Sequence, residues 1–246
     1  RCRMALAGGA SVTQTPFAEG FSVGFESEEY ITRTFSEQST GSAIAEGVGV
    51  LLLKGVKEAI KDGDPIYAVI KGTAINQDGS SFGIAAPNYL AQAEVIQEAW
   101  KSAGITADDV SYIEAHGTGT QLGDPIEVNG ITTAFRTQTE ARQICGIGSV
   151  KTNMGHANEA SGICGIVKSI LILNKGVIPP SLNFNVPNMN IDFINSPLYV
   201  VNRLTPLKTK RGRTYIGSSG FGMSGTNGHI VLTQAPVQTA STLGNN

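Results

Sequence analysis

The segment Glu114-Ala115-His116-Gly117-Thr118-Gly119-Thr120 begins at the end of an apolar, β-branched run at residues 111–115. A second segment of the same kind, Ser149-Val150-Lys151-Thr152-Asn153-Met154-Gly155-His156, follows another such run at residues 144–149. A histidine at the end of a strand, beside glycines that let a substrate approach the backbone, is a common active-site arrangement. The two segments are therefore candidate active-site loops, with a satisfied structural histidine as the alternative for each.

Around these loops, strand-like and helix-like segments alternate. Short β-branched apolar runs predict strands at 48–53, 66–75, 111–115, 144–149, 199–202, 214–218 and 229–233. Apolar residues at helical spacing predict a helix over 88–103, with Pro87 before it and Gly104 after it. A second helix is predicted over 161–174, where the apolar residues are dense enough to indicate burial on most sides. A shorter helix is expected after Pro125. This alternation predicts an α/β layered fold whose sheets are covered on both faces.

Composition excludes several classes of function. The 246 residues have a formal net charge of -2, which provides no basic surface for nucleic acid. Three cysteines without a CxxC pattern disfavour a disulfide framework or a metal site, and favour a reducing, cytoplasmic location. No apolar stretch reaches the length that a membrane span needs. Residues 1–10 predict a buried strand that runs into a turn, and residues 236–246 predict a polar tail or linker.

Three motifs occur in register: EAHGTGTQLGDPIE at 114–127, VKTNMGH at 150–156 and GFGMSGTNGH at 220–229. Together they resemble the downstream motifs of β-ketoacyl synthases (ketosynthases) of the thiolase superfamily. INQDGSSFGIAAPN at 75–88 resembles the loop typical of the polyketide synthase branch, and MALAGG at 4–9 resembles the strand that follows the family's nucleophile helix. The resemblance runs from about Arg3 to Gln234.

The resemblance implies a thiolase-like layered α-β-α-β-α sandwich that is incomplete here. Residues 1–73 would be the end of the N-terminal half and 74–235 the C-terminal half, with 236–246 as the tail. The implied reaction is decarboxylative Claisen condensation of a malonyl group with a cysteine-bound acyl chain. Both substrates would be carried on the 4'-phosphopantetheine of an acyl carrier protein, and the domain itself would bind no cofactor and no metal.

The resemblance also assigns catalytic roles. His116 and His156 would hydrogen-bond the malonyl thioester carbonyl and stabilise the enolate oxygen that decarboxylation leaves. Lys151 would lie behind the site, with Glu127 as its acidic partner and Asp124 beside it. An ordinary surface lysine is the alternative for Lys151, and a solvated acidic turn is the alternative for the two acids.

Further residues would line the substrate path. Thr118 and Thr120 would contact the phosphopantetheine arm, or else cap local backbone groups in a turn. The backbone N–H of Met223 would help to hold the acyl thioester's oxyanion, and Phe221 and Met223 would border the acyl pocket. His229, at the start of a predicted strand, is interpreted as structural.

The family's nucleophilic cysteine motif is absent from the sequence. Cys2 is disfavoured as its replacement, and Cys145 and Cys164 are expected in the core. The chain is therefore expected to begin after the nucleophile, to need an N-terminal segment and to be inactive alone. The family also implies an acyltransferase in cis or in trans and a homodimer.

Two other functions fit the sequence less well. A non-catalytic partner of the chain-length-factor kind keeps the fold and lacks the cysteine, but such partners usually lose the histidines as well. A thiolase would carry a cysteine base within a Gly-rich motif near the C-terminus, where this chain has GFGMSGTNGH. One departure from the ketosynthase pattern is Asn158, where Glu is usual; it leaves the local hydrogen bonding of His156 open.

Overall fold

The structure is a computed structural model that describes residues 2–13, 25–79 and 87–236. Its strands are β1 (Met4–Ser11), β2 (Gly47–Lys54), β3 (Val69–Gln77), β4 (Val110–Glu114), β5 (Cys145–Gly148), β6 (Val177–Ile178), β7 (Leu198–Val200), β8 (Thr205–Pro206), β9 (Tyr215–Phe221) and β10 (Thr226–Thr233). Its α-helices are α1 (Val56–Asp62), α2 (Tyr89–Ala103), α3 (Gly123–Arg136), α4 (Lys151–Met154) and α5 (Ser161–Lys175). Two 3₁₀ turns lie at Ala107–Asp109 and Asn158–Ala160.

A six-stranded mixed sheet forms the centre of the described structure, in the order β3-β10-β9-β4-β5-β7. Strands β9, β4, β5 and β7 are parallel to one another, whereas β10 pairs antiparallel with both β3 and β9. Every residue of β4 and of β5 is buried. Parallel β4 and β5 therefore end at the same edge of the sheet, which brings the two histidine loops together.

Alternate residues of the central strands feed two separate apolar clusters, one on each face of the sheet. Ile113 packs in the cluster that α2 and α3 cover, and its neighbour Tyr112 packs in the cluster that α5 covers. The prediction of a sheet covered on both faces is confirmed for these strands.

The predicted helix over 88–103 is confirmed as α2. The Asn88 side chain accepts the N–H groups of Leu90 and Ala91, which satisfies two donors that the first helical turn leaves free. Gly104 ends the helix with φ +67°, a left-handed conformation that glycine adopts without steric cost. Helix α3 begins at Gly123, two residues earlier than its proline predicts, because proline is tolerated anywhere in a first turn, where N–H groups have no helical partner.

The first strand differs from its prediction. β1 continues to Ser11, paired antiparallel with β2, and its residues are alternately exposed and half-buried, so the predicted burial is wrong for the described structure. Only one face of this two-stranded ribbon is covered within the described residues, by α5 and the turn at Asn158–Ala160. Gly9 allows β1 to lie close to the turn at Asn158–Ala160, because a Cβ at this position would lie 2.5 Å from the Glu159 carbonyl oxygen.

The prediction that helix 161–174 is buried on most sides is wrong for the described structure. Val167 is 39% exposed and Leu171 is 53% exposed, and the buried face is confined to one side of α5. A helix with many apolar residues can be buried on several sides, but its sequence does not show which other residues pack against each side.

Some predicted segments lie outside the described residues: 80–86 of the loop at 75–88, and 237–246 of the tail. The division into halves near residue 73 stays a prediction. Among the described residues, no helix is both long enough and apolar enough to cross a membrane.

Candidate active site

The two histidines meet at the carboxyl edge of the sheet. His116 follows β4, and His156 follows β5 through the single turn of α4. Their ring centroids are 5.6 Å apart, with the ring planes at 86° to each other. The two loops, distant in sequence, therefore converge, because each follows one of two parallel, neighbouring strands.

Backbone N–H groups fix the tautomer of both rings. The Asn158 N–H donates to His156 Nδ1 at 3.0 Å, and the Phe221 N–H donates to His116 Nδ1 at 3.4 Å. Since Nδ1 accepts in each case, a neutral ring must hold its proton on Nε2. Asn158 makes its bond from a left-handed conformation, φ +40°, which asparagine tolerates better than most residues.

Both rings are held neutral by their surroundings. Burial lowers the pKa of His156 to about 3, and the Lys151 ammonium acts in the same direction. Burial also holds the pKa of His116 well below its usual value, with Lys151 and His156 as smaller causes. At neutral pH the site therefore holds two uncharged imidazoles, each with an Nε2–H donor.

Lys151 begins α4 and is buried, so the surface-lysine alternative is wrong. Among the described residues Glu127 forms no direct ion pair with Lys151, although its charge favours the ammonium form. The Lys151 ammonium instead donates to the His116 carbonyl oxygen at 2.5 Å. Burial lowers the pKa of Lys151 to about 8, against the raising effect of Glu127 and other nearby acids.

Glu127 and Asp124 project from α3 onto the first histidine loop. Glu127 accepts the backbone N–H groups of His116 and Gly117, both at 2.7 Å. Asp124 accepts the N–H of Gly119 at 3.0 Å and that of Phe35 at 2.6 Å. Both acids are buried, so the alternative of a solvated acidic turn is wrong. They hold the loop by its backbone.

Burial also affects the protonation of these acids. It raises the pKa of Asp124 to about 7, against the lowering effect of the N–H bonds. It raises the pKa of Glu127 as well, and there too the accepted N–H bonds oppose it.

The predicted substrate-contact residues lie at the same edge. The hydroxyls of Thr118 and Thr120 are 3.4 Å apart, and Thr120 Oγ1 also accepts the Gly123 N–H at 3.1 Å, at the start of α3. Thr120 thus has the local capping role that was its alternative. The Phe221 ring centroid lies 5.9 Å from that of His116, and Met223 is 62% exposed in the following turn. Their roles toward a substrate stay predictions.

The cysteines differ in their surroundings. Cys2 is exposed and Cys145 is buried in β5, where burial raises its thiol pKa to about 12. Cys164 is half-buried, so its expected place in the core is wrong. Among the residues that the structure describes, no group of histidine, cysteine and acidic side chains could hold a metal ion. His229 is buried, with Nδ1 2.9 Å from the Ser219 hydroxyl.

Sequence reasoning missed two features of the site. The Phe25 ring centroid lies 5.7 Å from that of His156. Glu114 forms a buried ion pair with Lys168 directly behind the loops, at 2.8 Å. The second could have been suspected, because Glu114 ends an apolar strand and Lys168 interrupts an apolar helix, and buried charges of opposite sign are rarely unpaired.

Comparison with known proteins agrees with this arrangement. The family model "Beta-ketoacyl synthase, N-terminal domain" matches residues 1–59, "Beta-ketoacyl synthase, C-terminal domain" matches 67–185, and "Ketoacyl-synthetase C-terminal extension" matches 187–245. The chain belongs to the β-ketoacyl synthase family.

Within that family it is a ketosynthase portion of the polyketide synthase type. It is 41% identical over 234 residues to polyketide synthase PksL of Bacillus subtilis (strain 168), covering 94% of this chain and 5% of that protein. It is 40% identical over 237 residues to erythronolide synthase EryA3 of Saccharopolyspora erythraea, covering 96% and 8%. The solved ketosynthase from module 6 of the bacillaene synthase of Bacillus subtilis 168 is 40% identical, with a TM-score of 0.91, over 95% of this chain and 43% of that one. The chain thus spans less than half of the solved ketosynthase and a small part of the curated synthases, and it has the thiolase-like fold.

Proposed function

We propose that this chain provides the histidine-bearing part of a ketosynthase that catalyses decarboxylative Claisen condensation. A cysteine thiolate, supplied by sequence outside this chain, accepts an acyl group from a carrier protein. A malonyl group on the phosphopantetheine of an acyl carrier protein then loses its carboxylate as CO₂. The electron pair of the broken carbon–carbon bond forms an enolate, whose carbon attacks the cysteine thioester and releases the thiolate.

The observation that supports this proposal best is the pair of neutral rings with Nδ1 occupied. Each ring has an Nε2–H donor available, and two such donors can hydrogen-bond one thioester oxygen. This oxygen gains negative charge only as CO₂ departs, so the donors stabilise the transition state more than the ground state. Lys151, a buried cation behind His116, adds positive potential to the same region.

The proposed partners follow from the reaction. They are an acyl carrier protein, an acyltransferase that loads malonyl groups, in cis or in trans, and a second copy of the ketosynthase. Thr118 and Thr120 would guide the pantetheine arm, and Phe221 with Met223 would border the acyl chain. A chain-length-factor-like partner is the second candidate, but the convergence of His116, Lys151 and His156 into one site favours the enzyme.

The test uses His116→Ala and His156→Ala in a ketosynthase that contains this chain and the upstream part of the domain. Condensation with malonyl carrier protein should fall by about 100-fold or more in each variant, which is the usual effect of removing one oxyanion donor. Acylation of the nucleophilic cysteine, measured by intact mass, should be nearly unchanged. His229→Asn is the matched control because it replaces the one histidine outside the pair and should keep both half-reactions.

Unchanged condensation in both alanine variants would contradict the proposal. Acylation without any condensation in the unsubstituted protein would contradict it too, and would favour a non-condensing role.

A further inference from the structure

A buried charged cluster lies behind the histidine loops, on the α5 side of the sheet. Glu114, the last residue of β4, is 1% exposed, and its Oε2 accepts the Tyr112 hydroxyl at 2.9 Å. The Lys168 ammonium lies 2.8 Å from the same oxygen and forms a buried ion pair with it. The same ammonium is 5.8 Å from the Tyr112 ring centroid. Lys168 thus balances the charge of Glu114 in the interior.

The other carboxylate oxygen of Glu114 connects the two histidine loops. Oε1 accepts the backbone N–H of Val150, the residue directly before Lys151. The neighbouring Ala115 N–H donates to the Gly148 carbonyl at 2.8 Å, so the ladder of β4 and β5 extends to the same place. Glu114 therefore holds the start of α4 against the end of β4.

These contacts and those of the active site together link the two loops at two points. From Glu114 the chain reaches His116 in two residues, and from Val150 it reaches Lys151 in one. The Lys151 ammonium then donates to the His116 carbonyl. We propose that Glu114 is a positioning residue that fixes the His116 loop and the Lys151 loop relative to each other, with Lys168 as its buried counterion. This inference rests on the proposed function, because the relative position of the two loops matters only if both take part in condensation.

A role in stability alone makes a different prediction. A buried ion pair can often be replaced by apolar side chains of similar volume without loss of stability, whereas removing one partner leaves an uncompensated buried charge. A double substitution that removes both charges therefore separates positioning from packing. Glu114→Met with Lys168→Met keeps the volume but leaves the Val150 N–H without its acceptor. Glu114→Gln with Lys168→Met removes the same charges but restores one carbonyl acceptor.

The experiment compares these double variants in the ketosynthase that contains the upstream part of the domain. The Met/Met variant should fold and acylate its cysteine normally, but its kcat for condensation should fall by about 100-fold, as misplacement of a catalytic group by about 1 Å does. KM for malonyl carrier protein should change little, and the Gln/Met variant should regain most of the lost rate. Glu140→Met, which removes an acid that is 90% exposed, should match the unsubstituted protein.

A folded Met/Met variant that condenses at the normal rate would overturn the inference, as would one that loses acylation to the same degree as condensation. If Met/Met does not fold, Tyr112→Phe decides the question, since it removes only one hydrogen bond to Glu114. Its condensation should fall by several-fold relative to its acylation, and an unchanged ratio would overturn the inference. Failure of the unsubstituted protein to condense would instead contradict the proposed function.

Discussion

Replacing Gly117 with alanine should destabilise the protein more than the usual replacement of a left-handed glycine. Gly117 has φ +47°, and a Cβ there would lie 2.7 Å from Ser149 Cβ and 2.7 Å from Thr34 Cγ2. The left-handed conformation alone costs an alanine about 1–2 kcal/mol. Overpacking against two buried side chains adds about 1–3 kcal/mol. The expected loss in free energy of unfolding is therefore about 2–5 kcal/mol.

Gly104 provides a matched control for this substitution. It has φ +67°, but a Cβ there would meet nothing within 4 Å. Gly104→Ala should therefore lose only the conformational part, about 1–2 kcal/mol. Urea denaturation of the ketosynthase with its upstream part, followed by circular dichroism, measures both variants under one condition. Equal losses in the two variants would refute the crowding argument at Gly117.

Two further predictions concern ionisation and access. The pKa of Lys151 is lowered to about 8, so its ammonium form is lost as the pH rises through that value. The rate of condensation should therefore fall above about pH 8. The pH–rate profile of Lys151→Met should not show this fall. A profile that rises above that pH in the unsubstituted protein would show that the ammonium is not needed. Cys145 is fully buried, and burial raises its thiol pKa to about 12. Iodoacetamide should therefore alkylate the exposed Cys2 but not Cys145 in the folded chain. In urea both cysteines should react. Peptide mass spectrometry measures both sites, and alkylation of Cys145 without urea would contradict the burial.

The sequence predicts the parts of this molecule that depend on short-range pattern. β-branched runs locate the central strands, and the signals at Asn88 and Gly104 locate α2. The sequence predicts that each histidine loop follows a strand; the structure adds that the two strands are parallel neighbours, which is why the loops converge at one edge of the sheet. These are local preferences that the tertiary structure does not oppose.

The parts that the sequence does not predict depend on long-range contacts. The ion pair of Glu114 with Lys168 joins β4 to α5, with α3, β5 and α4 between them in the chain, and no local pattern specifies that pairing. The partner of Lys151 is a second contact that the sequence does not predict. A buried ammonium needs a hydrogen-bond acceptor, but the sequence does not show whether that acceptor is a backbone carbonyl or an acidic side chain. Likewise, the exposure of β1 and α5 depends on what covers them rather than on their composition.

The occupied Nδ1 atoms also show which role the two histidines can have in forming an enolate. A Claisen condensation without decarboxylation needs a base to remove a proton from the carbon beside the thioester. At neutral pH neither His116 nor His156 offers a free ring nitrogen for that step, since Nδ1 accepts a backbone N–H and Nε2 carries the proton. Loss of CO₂ generates the same enolate without any proton abstraction, and asks only for donors to the enolate oxygen. The pair therefore provides donors and no base, which is what a decarboxylating condensation needs. A thiolase would take its base from a cysteine, so the argument against a thiolase rests on the cysteine-free segment GFGMSGTNGH.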